Sequence, residues 1–540
     1  MEDPGARTDT LLRRYVREAA TATSWESGHQ IEIQLGHFCN NRCVFCVSGQ
    51  LTQDKLARPI GEAPVLEALE GAAAKGITRV TFLGGEPTIQ KSFEPALQRA
   101  LDLGFTDIVI FTNGAQGRNP RFMERVMAMG EFTWRFSIQG GTEEAHDRVT
   151  GRKGSFRRLA TAMERLAAAG QDITANMCVN TLSYESLPAY PELVAKHNIR
   201  QLHLDMVRPE NTGRRTEQEL RDMVPRHTDM APYIRQMLER FEETDPDFDV
   251  NIGNLPYCVL PEWADRIHHG GEPTLTLTTG HRGELDTILR KYTFQAIDAV
   301  YGPDCEQCVF FNQCRGVPEK YAEFYGTGEL VPVSREALRT LDPRQRAFVH
   351  EAEAWVELLL AADCPAGWRL ETLRRDGRER QIHLSFRHDD SGVIALKLSP
   401  AIEPPKGTLA ARFASPRARL SAGRHGPAAT SLLEWAAQAL RAGGEPMEPV
   451  AAPPTRSELQ SLLLAVRRLK ARKEFGDWQL RGVRSAPDRR SVRLTLVDVD
   501  GPRILVRLLA GPPCRVEADS ADGEVTALLA RLTATANGSH

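Results

Sequence analysis

From about Glu32 to Pro209 the chain alternates short β-like runs with amphipathic helical stretches. The runs are Ile31–His37, Val80–Leu83, Asp107–Thr112, Trp134–Ile138, Ile173–Val179 and Gln201–Val207, six in all. Helical spacing falls between them, over Pro64–Lys75, Phe156–Ala169 and Leu187–His197. Strands alternating with helices argue for a parallel sheet covered by helices. Six such units make a partial or full barrel, with a doubly wound sheet as the rival. In either case chemistry belongs at the carboxyl ends of the strands. Gly84-Gly85, Asn113-Gly114 and Gly140-Gly141 close three of the runs there.

The rest of the chain reads differently. Glu217–Glu242 predicts one or two further helices, residues 250 to 330 are loop-rich, and Leu341–Ala361 turns helical again. Beyond that lies an internal repeat at an offset of 110: Trp368-Arg-Leu aligns with Trp478-Gln-Leu, Gln381–Phe386 with Ser491–Leu496, and Asp390–Leu398 with Asp500–Leu508. Each copy alternates apolar and polar residues across a hairpin signal, with a helix on either side, giving an α-β-β-β-α unit. A Pro-rich stretch, Gly443–Pro454, separates the copies as a semi-rigid linker. Duplication by itself says nothing of function.

Composition excludes several classes. The 540 residues are 41% hydrophobic and 26% charged with a net charge of −3, which is ordinary globular usage rather than that of a globally basic nucleic-acid binder. No apolar run is long enough to span a bilayer. Met1-Glu-Asp-Pro-Gly5 is acidic where a secretory signal would be basic and then apolar, so the expectation is a cytoplasmic protein. Thiols stay reduced in that compartment, and the 10 cysteines fall into tight groups, which is how metal or cluster ligands are spaced.

The first group is Cys39-x3-Cys43-x2-Cys46, in the loop after the first strand. Three thiolates hold three irons of a four-iron cluster and leave the fourth open, which a cluster needs if it is to act on a bound molecule. The alternative is a zinc site completed by His37. Gly84-Gly85-Glu86-Pro87 ends the second strand, where glycines admit close backbone approach and Glu86 offers an acceptor for an ammonium group. Thr112-Asn113 ends the third strand and Ser137 lies in the fourth.

Together, Cys39-x3-Cys43-x-Phe45-Cys46 and Gly84-Gly85-Glu86-Pro87 resemble the radical S-adenosylmethionine (radical SAM) superfamily. The stretch Ser137-Ile-Gln-Gly140, His146-Asp147 and Gly154-Ser-Phe156 also resembles that family's fourth-strand region, with Gln139 where an Asp is common. The resemblance covers roughly residues 30 to 210 and implies a partial (β/α)6 TIM-like barrel. It implies that Cys39, Cys43 and Cys46 bind a 4Fe–4S cluster whose open iron is chelated by S-adenosylmethionine. It further implies that Glu86 and the backbone of Gly84, Gly85 and Pro87 hold the methionyl ammonium. Phe45 would lie near the adenine, and Asn113 and Ser137 would contact ribose or carboxylate. Reduction would then yield a 5′-deoxyadenosyl radical that abstracts hydrogen from a substrate.

The second group, Cys305-x2-Cys308-x5-Cys314, supplies three thiolates, and Cys258 is the expected fourth. Four cysteines close a cluster, although Cys-x2-Cys is also a zinc pattern. Downstream of such a core, and followed by Arg315-Gly316, the group resembles the SPASM or twitch extensions, which implies one auxiliary 4Fe–4S cluster. Cys178 reads as strand core; Cys364 and Cys514 receive no role.

The chain is thus expected to be α/β: a lead-in at 1–30, a core barrel at 31–245, a small cluster-binding extension at 246–335, and two tandem α+β repeats at 340–442 and 457–540 joined by the 443–456 linker. The expected function is hydrogen abstraction from a peptide or protein. One alternative is a radical SAM dehydrogenase or epimerase of a small alcohol or sugar; another is a metal-stabilised binding protein without catalysis. Expected partners are the substrate and a flavodoxin- or ferredoxin-type reductant, with no nucleic acid and no membrane. The tandem repeat is mildly basic from Glu351 onward and offers a docking platform. Arg214-Arg215 and His268-His269 are weighed as substrate contacts against exposed loop residues.

Overall fold

In the computed structural model, the described residues are 30–209, 215–269, 274–279, 285–288, 298–376, 380–400, 409–412, 418–423, 426–444, 447, 456–485, 491–498, 503–509, 511, 513–518 and 523–538. The lead-in before residue 30, Arg214 and most of the 443–456 linker lie outside them. The chain divides into two compact units, Met1–Asp342 and Pro343–His540.

The first unit is built on one sheet. Its strands are β1 (Gln30–Gln34), β2 (Arg79–Leu83), β3 (Asp107–Thr112), β4 (Thr133–Ser137), β5 (Asp172–Val179), β6 (Gln201–Met206), β7 (Asp249–Gly253), β8 (Ile267–His268), β9 (Thr274–Thr279) and β10 (Leu285–Ile288). The order is β10-β9-β1-β2-β3-β4-β5-β6-β7-β8, and every neighbouring pair is parallel except β9 with β10. The six expected strands are therefore present in sequence order, as a right-handed βα chain requires. The stretch read as loop-rich contributes four more strands, which extend the sheet at both edges. They are short, and a two-residue strand such as Ile267–His268 leaves no periodic signal.

Helices cover the outer face through amphipathic spacing. The helix Phe93–Asp102 buries Phe93, Ala96, Leu97 and Ala100, and the helix Ser155–Ala168 buries Leu159, Ala162, Met163 and Leu166. Asn119, Thr142 and Thr216 cap helix starts with their side chains, the last in a capping box with Glu219. The expected Glu217–Glu242 helical stretch is two helices, Glu217–Met223 and His227–Thr244.

The second unit holds two five-stranded antiparallel sheets. The three strands expected per copy are there, and each copy adds two shorter ones, Leu409–Arg412 with Ala418–Ala422 and Glu474–Phe475 with Arg515–Ala518. The duplication extends to a local irregularity. The register slips between Leu370 and Thr372 in the first copy and between Leu480 and Gly482 in the second, the same offset as the sequence repeat. Each copy has its own core: Trp355, Leu384, Leu396, Leu420 and Leu433 are central to one, Leu469, Leu494, Leu508 and Leu532 to the other. Among the described residues no helix is long and apolar enough to cross a membrane.

Candidate functional site

Cys39, Cys43 and Cys46 lie between β1 and the helix Val47–Gln53, at the carboxyl edge of the sheet. The loop is fastened on several sides. Arg42 N–H donates to Thr150 O at 2.8 Å and Val44 N–H to Val149 O at 3.0 Å. Gly85 N–H donates to Gly36 O at 2.7 Å and Glu86 N–H to Phe38 O at 2.8 Å. Gly85 must be glycine for this seam to close, because a Cβ there would stand 2.3 Å from Phe38 O and 2.4 Å from His37 O.

The three thiols sense one another. Burial, then the charge of Glu86, with a further push from Cys46, raises the Cys39 thiol to about 12. Burial pushes Cys43 well above its ordinary value, followed by Cys46, Cys39 and Cys178. Thiols held up in this way, as Cys39 and Cys43 are, lose their protons readily only beside a strongly cationic group, which is the chemistry of an iron–sulfur or metal ligand set. His37 is occupied elsewhere: its Nδ1 meets Ser48 Oγ at 2.9 Å and its Nε2 meets Thr279 O at 3.1 Å. Among the described residues, no three His, Cys, Asp or Glu side chains converge as ligands of a single metal ion.

Glu86 closes the floor of the site. It is 1% exposed, and its carboxylate accepts from Thr88 N–H at 3.2 Å, Thr88 Oγ1 at 2.5 Å, Thr112 Oγ1 at 2.6 Å and Asn113 N–H at 2.7 Å. Burial raises its pKa against those four donors. The group expected to face an ammonium is thus enclosed by the chain and ties the end of β2 to the end of β3. Pro87 opens the short turn Pro87–Ile89, which Glu86 caps.

Asn113 Nδ2 donates to Asn40 Oδ1 at 2.6 Å and approaches Cys39 Sγ at 3.8 Å, while Asn41 N–H donates to the same sulfur at 3.4 Å. N–H groups aimed at a ligand sulfur tune a cluster's potential. Ser137 Oγ accepts from Gln139 Nε2 at 2.6 Å, and Gln139 Oε1 accepts from Cys178 N–H at 3.0 Å. Gln139, where an Asp was the commoner expectation, therefore stitches β4 to β5. Phe45 packs with Cys178, Cys258 and Cys305 against a cluster that includes Val207, Leu220 and Tyr321.

Cys258, Cys305, Cys308 and Cys314 line one pocket with apolar walls from Tyr301, Phe310, Phe311 and Leu330. Gly302 N–H donates to Cys305 Sγ at 3.2 Å, Gly316 N–H to Cys314 Sγ at 3.3 Å and Val333 N–H to Cys308 Sγ at 3.3 Å. Burial, followed by the neighbouring thiols, raises Cys258 to about 12. His269 joins the segments that carry these cysteines: its Nε2 meets Leu255 O at 2.7 Å and its Nδ1 accepts from Arg315 N–H at 3.1 Å.

Sequence reasoning missed three things. Arg215 is 8% exposed and donates to Val44 O within the first cysteine loop, so it is not an exposed loop residue. Cys178, half-buried in β5 and packed against the cluster around Leu220 and Tyr321 as a strand-core reading expects, also lies near Cys43 and Cys46, which that reading did not include. His203 and Asp205, on alternate positions of β6, face the side of the sheet opposite the helices. Only their alternation with Leu202, Leu204 and Met206 could have signalled this.

The profile of the radical SAM superfamily matches residues 33–188. Among curated proteins, the chain is 30% identical over 150 residues to the sporulation killing factor maturation protein SkfB of Bacillus subtilis, covering 27% of this chain and 35% of that protein. It is 27% identical over 175 residues to the PqqA peptide cyclase of Ruegeria pomeroyi (32% and 46%), and 23% identical over 195 residues to a probable GTP 3′,8-cyclase of Saccharolobus islandicus (36% and 61%). The chain thus spans about a third to three-fifths of the length of these relatives. Among solved structures it overlays on Streptococcus suis SuiB bound to S-adenosylmethionine with a TM-score of 0.42 at 14% identity, covering 62% of this chain and 83% of that one. The superfamily binds a 4Fe–4S cluster and S-adenosylmethionine. With its α/β sheet and its cysteine loop at the carboxyl end of the first strand, the chain carries a radical SAM domain over residues 33–188.

Proposed function

We propose that this protein is a radical SAM enzyme acting on a peptide or protein. The observation that carries the reading is the single loop that brings Cys39, Cys43 and Cys46 together at the carboxyl edge of the sheet, fastened by backbone hydrogen bonds to the Gly85-Glu86 turn and to Thr150, within a domain of that superfamily. A reduced cluster with bound S-adenosylmethionine supplies a carbon-centred radical that takes a hydrogen atom from substrate. The chain's own residues do the rest. Cys39, Cys43 and Cys46 hold the cluster, and Asn113 and the Asn41 amide direct N–H groups at the Cys39 sulfur. Glu86 fixes the turn made by Gly84, Gly85 and Pro87, so that its backbone lies against the cysteine loop. Phe45 and Ser137 border the space for the nucleoside. Cys258, Cys305, Cys308 and Cys314 hold an auxiliary 4Fe–4S cluster of SPASM or twitch type, in a pocket whose amides already point at three of the sulfurs. Electrons come from a flavodoxin- or ferredoxin-type reductant.

Two of the curated relatives are a maturation protein and a peptide cyclase, which favours a peptide substrate over a small alcohol or sugar. The test is anaerobic reconstitution with iron and sulfide, followed by S-adenosylmethionine and a low-potential reductant. Release of 5′-deoxyadenosine that is lost in Cys43→Ala supports the reading. Tight zinc binding without such release would establish the non-catalytic alternative.

A further inference from the structure

The interior face of a (β/α) barrel is ordinarily filled by branched aliphatic side chains. Along β5 to β8 this sheet departs from that rule. The register aligns Asn176, His203 and Asn251 in one row and Cys178, Asp205, Gly253 and His268 in the next, one step nearer the carboxyl ends. The opposite face of the same strands is apolar and buried: Leu202, Leu204, Val250 and Ile252. The polar set therefore faces away from the helices, where desolvating it costs free energy and packs nothing.

These side chains meet. His203 Nε2 lies 3.3 Å from Asp205 Oδ1, Asn176 Nδ2 donates to Asp205 Oδ2 at 3.3 Å, and the rings of His203 and His268 are 5.1 Å apart, edge to face. Gly253 makes room at the centre. A Cβ there would lie 2.6 Å from Asp205 Oδ1 and 3.4 Å from His203 Nε2. The group is open rather than sealed, with the side chains of His203 and Asp205 retaining 28% and 43% of their exposure. It does not converge as a metal site. It adjoins the first cysteine group: the charge of Asp205 reaches Cys178, and so does that of Cys46.

We propose that Asp205, His203 and His268, arranged around Gly253, form the substrate-contacting site, and that it takes a hydrogen-bond-donating group of the substrate, an ammonium or a hydroxyl. Asp205 accepts the donor, and the two imidazoles set its direction. The inference rests on the radical SAM reading, because only there does a polar pocket next to the Cys46 loop hold a C–H bond within reach of the chemistry.

The test uses the full chain labelled with 15N-histidine and four small probes: ethanolamine, ethylamine, ethylene glycol and acetate. The expected result is a saturable shift of two imidazole signals with ethanolamine and no response to acetate. Ethylamine and ethylene glycol then show whether the ammonium or the hydroxyl is the group recognised. In Asp205→Asn the half-saturating ethanolamine concentration rises at least tenfold. If Asp205→Asn does not fold, His268→Gln removes one of the two shifting signals and weakens binding in the same direction. Equal responses to ethanolamine and acetate, or an unaltered response in a folded variant, overturn the inference while leaving the enzyme reading intact. A wild-type chain that releases no 5′-deoxyadenosine defeats the enzyme reading itself.

Discussion

The guanidinium of Arg215 reaches across the fold to the carbonyl of Val44, donating from Nη2 at 2.8 Å and from Nε at 3.1 Å. With the Gln50 amide turned so that its oxygen faces Arg215, the same group also donates there at 2.8 and 3.0 Å. Val44 sits between Cys43 and Cys46, so one buried fork holds the backbone of the cysteine loop. Burial lowers the pKa of Arg215, and the charge of Cys46 opposes that.

Arg215→Ala should therefore loosen the loop rather than the barrel. Residues supporting a metal ligand set typically change its affinity 10- to 100-fold, so iron retention against a chelator should fall by roughly tenfold. Arg215→Lys restores the charge but not the fork, and should recover only part of that loss. Iron per chain after gel filtration in the presence of chelator reads both effects.

Gly85→Ala tests the seam between β2 and the cysteine loop. The added carbon collides with the backbone carbonyls of His37 and Phe38, the two residues before Cys39. The cost should be about 1–3 kcal/mol, the usual range for overpacking. The expected outcome is a lower melting temperature together with loss of bound iron. Unchanged iron content would mean that the seam does not position the ligands.

Glu86→Ala leaves Thr88, Thr112 and Asn113 with buried donors and no acceptor. At about 1–3 kcal/mol for each unsatisfied group, the loss should exceed about 3 kcal/mol. Glu86→Gln keeps one carbonyl oxygen but turns an N–H toward Asn113 N–H, and should cost less. Denaturant titration of the two variants should rank Ala well below Gln, and Gln below wild type.

Two histidines predict how stability depends on pH. Burial lowers His146 and His227 to about 4. Gln139 N–H donates to His146 Nδ1 at 3.0 Å, and His227 stacks on Tyr321 with centroids 4.2 Å apart. Both rings are neutral in the folded chain, whereas the unfolded chain takes up protons below about pH 6.5. Their stabilisation is complete above that value and drains away as pH falls through 4. Between these limits each contributes a slope of about 1.4 kcal/mol per pH unit. His227→Gln should flatten the decline in unfolding free energy between pH 6.5 and 4 by one such increment, measured against wild type.

The core was legible because its strands are long enough to show alternation and its motifs are local. Cys39 to Cys46 and Gly84 to Pro87 are each a single short run, so spacing alone exposed them. Contacts between distant segments were not legible. Arg215 lies 171 residues from Val44, and nothing in its neighbourhood marks it as buried. His203 and Asp205 looked like the half-exposed side of any strand, since alternation does not say whether that side meets solvent or a barrel interior. In the tandem repeats the hairpins carried clear turn signals, whereas the edge strands Glu474–Phe475 and Leu409–Arg412 are too short to have a period.

The most direct measurement is the EPR spectrum of the anaerobically reconstituted, reduced chain with and without S-adenosylmethionine, in wild type and in a variant lacking Cys258, Cys305, Cys308 and Cys314. The variant isolates the Cys39, Cys43 and Cys46 site. Its reduced 4Fe–4S signal should shift in g-values when S-adenosylmethionine is added, because the iron without a protein ligand takes up the new one. A variant with no such signal, or one whose signal ignores S-adenosylmethionine, would contradict the account.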